Sequence, residues 1–347
     1  MSFLENLFGG KGRAESVILV DIGTSSVAGA YARYTGNELP VVLYTRRLPV
    51  EARDHEPQEK AMLRALKILG DTLIREGAPA LLRATGSGSA SAVLVSIDAP
   101  WQKTSVRTEH FEQKEPFTFT RELVTETLEK TGAKAPGKLI VDESIIGTIL
   151  NGYETNDPYG KKVHRAAVVV LTSLIDERVA RSIAETLQSA YHTRDIFPIA
   201  GGSLRFQAIQ KAFPHERDAL ILDATGPTVS IALIRKGLFV AVVESPPADT
   251  KKEWVRGIGE ELADLAKHYP LPRTIFLLAR EEEAASLRKA LDTTDLAKLW
   301  LSDNPPKIVS VLASHVVPLV RQATAATPDL LLLLMALYWK QRSSDER

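Results

Sequence analysis

The 347-residue sequence contains no cysteine. This absence excludes disulfide frameworks, thiolate metal sites and cysteine nucleophiles. The sequence also has no excess of charge of one sign, because 43 lysines and arginines balance 43 aspartates and glutamates. A balanced total argues against a protein that binds nucleic acid through a large basic face, and we predict no nucleic-acid partner.

Long apolar runs and familiar metal or hydrolase motifs are also missing. The longest apolar run, from Leu330 to Trp339, is too short to cross a bilayer, which takes about 20 residues, and it predicts a buried helix. The seven histidines are not at metal-ligand spacing, and neither G-x-x-x-x-G-K-[ST] nor G-x-S-x-G occurs. We therefore assign no metal site and no catalytic residue.

The N-terminal segment MSFLENLFGGKGR has no cationic start and no long apolar stretch, so it is not a secretory signal. Its apolar side chains fall on one helical face and are followed by glycines. We predict that residues 1–14 form an N-terminal tail. Two interpretations stay open for it: residues 1–10 are an amphipathic anchor for a membrane or a partner, or they are a loose terminus.

Two segments about 200 residues apart share one pattern, VILVDIGTSSVAGAYARY (17–34) and ALILDATGPTVSIALIRKG (219–237). In each, an apolar strand ends in an aspartate and small hydroxyl residues, and a second strand follows. A tight turn rich in Gly, Ser and Thr exposes backbone N–H groups and hydroxyls that can cradle a phosphate. An aspartate beside that turn can hold Mg²⁺ or its waters.

This repeated pattern predicts a duplicated α/β fold in which two such units face each other across one cleft. Two such turns would hold the phosphates of a nucleotide from both sides, with Mg²⁺ bridging the aspartates and the phosphates. The candidate binding residues are Asp21, Gly23, Thr24, Ser25, Ser26, Asp223, Thr225, Gly226 and Thr228.

The remaining periodicity gives the predicted domain organisation. We expect residues 15–91 and 173–216 to form the first domain and residues 217–347 a reduced second domain. Residues 92–172 are predicted as an insert of the order strand-helix-strand-strand that begins with a strand at Val93–Ile97. Closing helices are expected over 308–340. Trp101 is either an exposed contact residue for a partner or a buried packing residue.

The motifs VDIGTSSV and LDATGPTVSIALIRKG resemble the two phosphate loops of the actin-like ATPase superfamily. The pattern of residues 92–172 resembles the insert of its bacterial FtsA/PilM-like branch. The resemblance implies an actin-like, ribonuclease H-like fold. It also implies a cytoplasmic scaffold at the inner face of the cell membrane that recruits protein partners of cell division or type IV pilus assembly, and that can self-associate.

The sequence departs from the superfamily pattern at three places. The second loop lacks a run of glycines, and its Pro227 has no N–H to donate to a phosphate. The strand expected to lie beside the adenosine, in TIFLLAREEE (274–283), leads into three glutamates instead of a glycine pair. Only YPLPR (269–273) stands where the superfamily has a nucleotide-covering lobe.

These departures favour a scaffold that has weak or no ATP turnover and holds no cofactor. The other interpretation is an active, filament-forming actin homologue that binds and hydrolyses ATP. The sequence leaves open whether the protein is an enzyme.

Overall fold

The computed structural model describes residues 16–345 except residues 37, 132–135, 156, 227, 295 and 301–305. The predicted N-terminal tail and Pro227 lie outside the described residues. None of the helices in the described ranges is both long enough and apolar enough to span a membrane.

The strands of the described residues are numbered in chain order. They are β1 (Ser16–Ile22), β2 (Ser26–Arg33), β3 (Val41–Pro49), β4 (Ala92–Ile97), β5 (Gln102–Thr118), β6 (Lys138–Leu150), β7 (Tyr153–Glu154), β8 (Lys162–Asp176), β9 (Ile196–Ala200), β10 (Ala219–Asp223), β11 (Val229–Arg235), β12 (Leu238–Ser245), β13 (Thr274–Leu278), β14 (Lys307–Ser310) and β15 (Arg321–Gln322).

The helices are numbered in the same way. They are α1 (Gln58–Thr72), α2 (Ala78–Thr85), α3 (Arg121–Thr131), α4 (Glu177–Tyr191), α5 (Gly201–Ala212), α6 (Lys251–His268), α7 (Glu281–Asp292), α8 (Ala313–Val316) and α9 (Leu330–Asp345). A π-helical turn at Leu73–Gly77 joins α1 to α2.

Two sheets repeat one topology. The first has the order β15-β3-β2-β1-β4-β9, and the second has the order β12-β11-β10-β13-β14. In both, the strand that ends in aspartate is antiparallel to the next strand along the chain and parallel to its other neighbour. The predicted duplication is therefore present at the level of strand order and direction.

The layers follow from the alternation of side chains along each strand. Val17 and Leu19 of β1 pack in one cluster with Ile221 of β10, and α5 and α9 lie in that cluster between the two sheets. Ile18 and Val20 point the other way, against α1, α2 and α4. The outer face of the second sheet packs against α6 and α7. The result is five layers in the order helices, first sheet, helices, second sheet, helices.

The insert is a separate antiparallel sheet of order β5-β8-β6-β7, with α3 packed on one face. Its chain order is the predicted strand, helix, strand, strand, with the additional two-residue strand β7 before the last strand, but the first strand was identified wrongly. The predicted strand Val93–Ile97 is part of β4, which pairs in parallel with β1 and belongs to the first sheet. The true first strand, β5, was missed because its sequence QKTSVRTEHFEQKEPFT is mostly polar and only pairing with β8 makes it a strand. The ranges of the domains themselves stay a prediction.

The closing segment also differs from the prediction of helices alone over 308–340. It contains β14, which pairs in parallel with β13, then the short helix α8, the two-residue strand β15 and finally α9. The apolar run predicted as a buried helix is buried within α9. Trp101 is 8% exposed and packs under the first sheet, so it is not an exposed contact residue.

Candidate functional site

The two hairpin turns face one cleft. The first tip (residues 21–26) comprises the end of β1, the turn and the start of β2, and the second tip (residues 223–226 and 228) runs from the end of β10 to the start of β11. They line a cavity of about 490 Å³ between the sheets. All nine candidate residues named from the sequence line this cleft. Residues around Arg280, at the start of α7, and residues 327–331, before and within the first turn of α9, complete the lining.

Strand alternation explains why the aspartates point into the cleft. Asp21 has the same parity as Val17 and Leu19, whose side chains face the middle layer, and Asp223 has the same parity as Ile221. Asp21 is the penultimate residue of β1 and Asp223 is the last residue of β10, and both are almost fully buried. A third strand of the same kind, β4, is followed directly by Asp98, which also lines the cleft.

Both carboxylate oxygens of Asp21 have partners from the chain. The Ser96 hydroxyl donates to Oδ1 at 3.2 Å, and Arg47 Nη2 donates to Oδ2 at 3.2 Å. Arg47, on β3, also donates from Nη1 to the Ser26 hydroxyl at 2.8 Å. Its Nε forms an ion pair with Asp329 Oδ2 at 2.8 Å. The first tip aspartate is therefore neutralised by an arginine of its own sheet.

Asp223, at the second tip, is occupied in the same way. Its Oδ1 accepts from the backbone N–H of Thr225 at 3.2 Å and from the Thr225 hydroxyl at 2.6 Å. Its Oδ2 accepts from Nε of Arg205, which extends from α5. The other side of the same guanidinium forms a bidentate pair with Asp98, with Nη2 at 2.8 Å from Oδ1 and Nη1 at 3.1 Å from Oδ2.

The donors of the first tip are engaged as well. The N–H of Gly23 donates to the Ser26 carbonyl at 2.9 Å, which closes the turn. The Thr24 hydroxyl donates to the Ala99 carbonyl at 2.6 Å. The Ser25 hydroxyl accepts from Arg280 Nη2, which comes from the second sheet. Several N–H and hydroxyl groups that were predicted to bind a phosphate therefore form hydrogen bonds with other parts of the chain.

Comparisons with known proteins agree with this architecture. No family model matches the sequence, and no curated protein matches it. Among solved structures, a chain of the PilM-PilN type IV pilus biogenesis complex superposes with a TM-score of 0.58 at 13% identity, over 95% of this chain and 99% of that chain. The fold is that of the actin-like ATPases. This confirms the fold predicted from the two loops, and at 13% identity the likeness concerns the fold.

Two other solved structures are similar at lower scores. A protein of Bacteroides thetaiotaomicron with an actin-like ATPase fold and unknown function has a TM-score of 0.47 at 10% identity, over 97% of this chain and 98% of that chain. The ethanolamine utilization protein EutJ from Carboxydothermus hydrogenoformans has a TM-score of 0.41 at 12% identity, over 95% of this chain and 92% of that chain.

The charges of this actin-like cleft are unevenly paired. The pKa of Asp98 is raised to about 6, and burial is the largest cause. Arg205 acts to lower this pKa, and the nearby carboxylates of Asp21 and Asp223 act to raise it. Burial also acts to lower the pKa of Arg205, but Asp223 and Asp98 outweigh it, and the net pKa lies above the ordinary arginine value. Arg205 therefore stays charged at the centre of three carboxylates.

An actin-like fold implies bound ATP and Mg²⁺, but the donor set present does not fit a Mg²⁺-bound polyphosphate. Both oxygens of each tip aspartate already accept hydrogen bonds, and the guanidinium groups of Arg47 and Arg205 place a positive charge beside each carboxylate, where it would repel Mg²⁺. Among the described residues no group of three or more His, Asp or Glu side chains could hold a metal ion. The described charged residues that line the cleft are Asp21, Asp98, Asp223, Asp329, Glu281, Glu282, Arg47, Arg205 and Arg280.

That lining contains twice as many acids as arginines, so a polyphosphate would meet net negative charge. Glu281 and Glu282 are exposed in the first turn of α7, where the helix dipole favours them. Residues 269–273 connect α6 to β13. A connection of this length is too short to form a lobe that covers the cleft.

Sequence reasoning missed Arg47, Arg205 and Asp98. A signal existed for Asp98, because VLVSIDAP is a third apolar strand that ends in an aspartate and a turn, as in the two hairpins. No local signal marked the arginines. Arg205 is a cation in a helix that is otherwise buried, and its partners are 18 and 107 residues away.

Proposed function

We propose that this protein is an actin-like adaptor of the PilM-like kind. It binds protein partners and recruits membrane-associated components of pilus assembly or cell division at the inner face of the cell membrane, with weak or no ATP turnover. The observation that carries the proposal is the pairing of both tip aspartates with arginines of the chain itself. The likeness in fold to a chain of a pilus biogenesis complex favours pilus assembly over division.

The occupied aspartates support the absence of turnover. Hydrolysis needs a carboxylate that can orient an attacking water or hold a metal ion. Asp21 and Asp223 each have both oxygens engaged, and each is almost fully buried. Freeing Asp223 would leave the buried guanidinium of Arg205 with fewer partners, which is unfavourable.

The insert is the part of the fold best placed to bind a partner. Its hairpin turn at Asn151 and Gly152 has positive φ at both residues, which suits a tight two-residue turn. The next residue, Tyr153, is 79% exposed. Exposed tyrosines are enriched among the residues that dominate binding energy at protein interfaces. We assign this turn to the partner-binding surface.

The first test is titration calorimetry with ATP and Mg²⁺ on the wild-type protein and Asp21→Asn, together with an ATP hydrolysis assay. We expect no binding heat at millimolar nucleotide and no phosphate release above the buffer blank in either protein. Micromolar binding that Asp21→Asn abolishes, with measurable turnover, would contradict the absence of turnover and support the ATPase interpretation.

A second test addresses recruitment. The chain is produced in its own host with and without the membrane-anchored pilus-assembly proteins, and its share in the membrane fraction is measured. We expect membrane association to depend on those proteins and to fall in Tyr153→Ser. Leu39→Ser changes another exposed apolar residue, outside the insert, and serves as the control. Membrane association that is the same without the pilus proteins would contradict recruitment through them.

One observation favours the second candidate, an active filament-forming homologue. The cavity between the two tips, about 490 Å³, is open enough to admit a ligand. This candidate predicts that ATP and Mg²⁺ make the protein sediment as polymer and that Asp223→Asn prevents it. Sedimentation that does not change with nucleotide would exclude this candidate.

A further inference from the structure

We infer that Arg205 closes the actin-like cleft from within, so that the protein holds its two sheets together without a cation-bound nucleotide. This inference goes beyond the adaptor proposal, because it concerns what fixes the cleft and holds whatever partner the protein recruits.

The position of Arg205 is the first argument. The guanidinium lies between Asp98, which follows β4 of the first sheet, and Asp223, which ends β10 of the second. It makes a bidentate pair of hydrogen bonds to the Asp98 carboxylate and a third hydrogen bond to the Asp223 carboxylate. A single side chain therefore joins the tips of the two sheets at the bottom of the cleft.

The chemistry of the guanidinium is the second argument. It is planar, stays charged at all physiological pH values and presents its donors in a fixed fork that matches a carboxylate. Arg205 is 5% exposed, so water does not screen these contacts. Two carboxylates that face each other across a cleft repel unless a cation lies between them. In this molecule the cation is part of the chain.

The backbone around Arg205 is shaped for this contact. Gly201 opens α5, and a Cβ added there would lie 2.0 Å from Asp98 Oδ1 and 2.8 Å from Arg205 Nη1. Only a residue without a side chain lets the pair form at this distance. The ion pair between Asp98 and Arg205 therefore needs a glycine at position 201.

A second contact crosses the cleft near its mouth. Arg280, just before α7 of the second sheet, donates to the hydroxyl of Ser25 in the first tip. Arg47 does not cross to the second sheet, but it neutralises Asp21 and so removes the need for a cation at the first tip. The closed arrangement thus has one buried contact through Arg205 and one more exposed contact through Arg280.

Spin-label distances between the two halves test this inference directly. Because the chain has no cysteine, two labels can be placed at will. Lys67→Cys on α1 and Lys289→Cys on α7 are exposed positions on the outer helices of the first and second sheet. We expect one narrow distance distribution that is the same in EDTA and in millimolar ATP with Mg²⁺.

Arg205→Gln in the labelled protein is expected to lengthen or broaden that distribution. Arg280→Gln, at a partly exposed position, should produce a smaller change in the same direction. Arg64→Gln is the matched control, because Arg64 pairs with Glu56 at 2.9 Å within the first half only. It should leave the distance unchanged.

Two results would overturn the inference. One is a wild-type distance that shortens or narrows when ATP and Mg²⁺ are added, a measurement that needs no variant and holds even if Arg205→Gln fails to fold. The other is a folded Arg205→Gln protein with the wild-type distribution. ATP hydrolysis with an unchanged distance would instead contradict the adaptor proposal and leave the closure by Arg205 standing.

Discussion

At the scale of single residues, the cleft is a set of buried charges that must satisfy one another. A buried charge is tolerated when it is paired and hydrogen-bonded, and removing one partner is strongly unfavourable. Arg205 has Asp98 and Asp223 as direct partners, and Asp21 is close enough to influence the same group. Within this group of charges, burial raises the pKa of Asp98.

The protonation of Asp98 gives the first prediction. Burial raises its pKa from 3.8 to about 6 in the folded protein. Between these values the folded state holds a proton on Asp98 that the unfolded state has lost, so the contribution of Asp98 to the free energy of unfolding decreases as pH rises from about 4 to about 6 and then stays level. Asp98→Asn removes this titration. Urea unfolding gives the free energy of unfolding of wild type and of Asp98→Asn at each pH. The difference between the two proteins should change by at most about 3 kcal/mol from about pH 4 to about pH 6.

A control separates this effect from simple loss of a charge. Asp54 is exposed to solvent, and Asp54→Asn should follow the wild-type pH profile. Stability curves for wild type and Asp98→Asn that run parallel through the whole range would contradict the raised pKa of Asp98.

At the scale of elements, the start of α5 decides how closely the helix approaches the first sheet. The strand β9 ends at Ala200, and the helix begins with Gly201 and Gly202. Two adjacent glycines at a helix start look equivalent in sequence. The structure distinguishes them, because only Gly201 lies against the ion pair of the cleft.

The second prediction compares these two glycines. Gly201→Ala places a Cβ within 3 Å of Asp98, Arg205 and Ser96, and we expect it to destabilise the protein by about 1–3 kcal/mol or more. Gly202→Ala meets only the ring of Phe206, at 3.7 Å, and should be neutral or stabilising by about 0.5–1 kcal/mol. Urea midpoints of both variants measure the difference, and equal effects would show that the close approach at Gly201 is not needed.

At the scale of the whole molecule, α9 packs the two sheets into one body. Its apolar residues join the cluster that also contains β1 and β10, and Leu334 is fully buried. A helix that is apolar on nearly all sides can be covered only when it lies inside a protein. The two halves therefore share one core, and we expect them to unfold together.

The third prediction tests that shared core. Leu334→Ala removes buried methyl groups between the sheets and should destabilise the protein by about 2–5 kcal/mol. Ile68→Ala loses the same number of carbon atoms from a side chain on α1 that is 51% exposed, and should change stability by about 0.5 kcal/mol or less. Thermal unfolding followed by calorimetry should show a single transition for both. Two separate transitions in Leu334→Ala would mean that the halves do not depend on a common core.

The sequence by itself determined the features that depend on neighbours along the chain. The two hairpins, the aspartates at their ends and the five-residue link between α6 and β13 follow from local apolar runs and turn residues. The side-chain alternation of a strand then fixes which residues share a face with Asp21 and Asp223. For these reasons the duplicated hairpins and the nine candidate residues that line the cleft could be named in advance, while the actin-like fold was implied by the resemblance of the two loops.

Only the tertiary structure decided which strand belongs to which sheet and what the aspartates bind. The apolar sequence of β4 does not show whether the strand belongs to the insert or to the first sheet. Its parallel pairing with β1, which decides this, joins residues more than 70 positions apart. The contact between Arg205 and Asp98 spans 107 residues, and that between Arg280 and Ser25 spans 255. A hydrogen bond or an ion pair depends on the distance between two groups in space, and the periodicity of a sequence does not encode that distance. The contacts of the arginines in the cleft are therefore visible only in the tertiary structure.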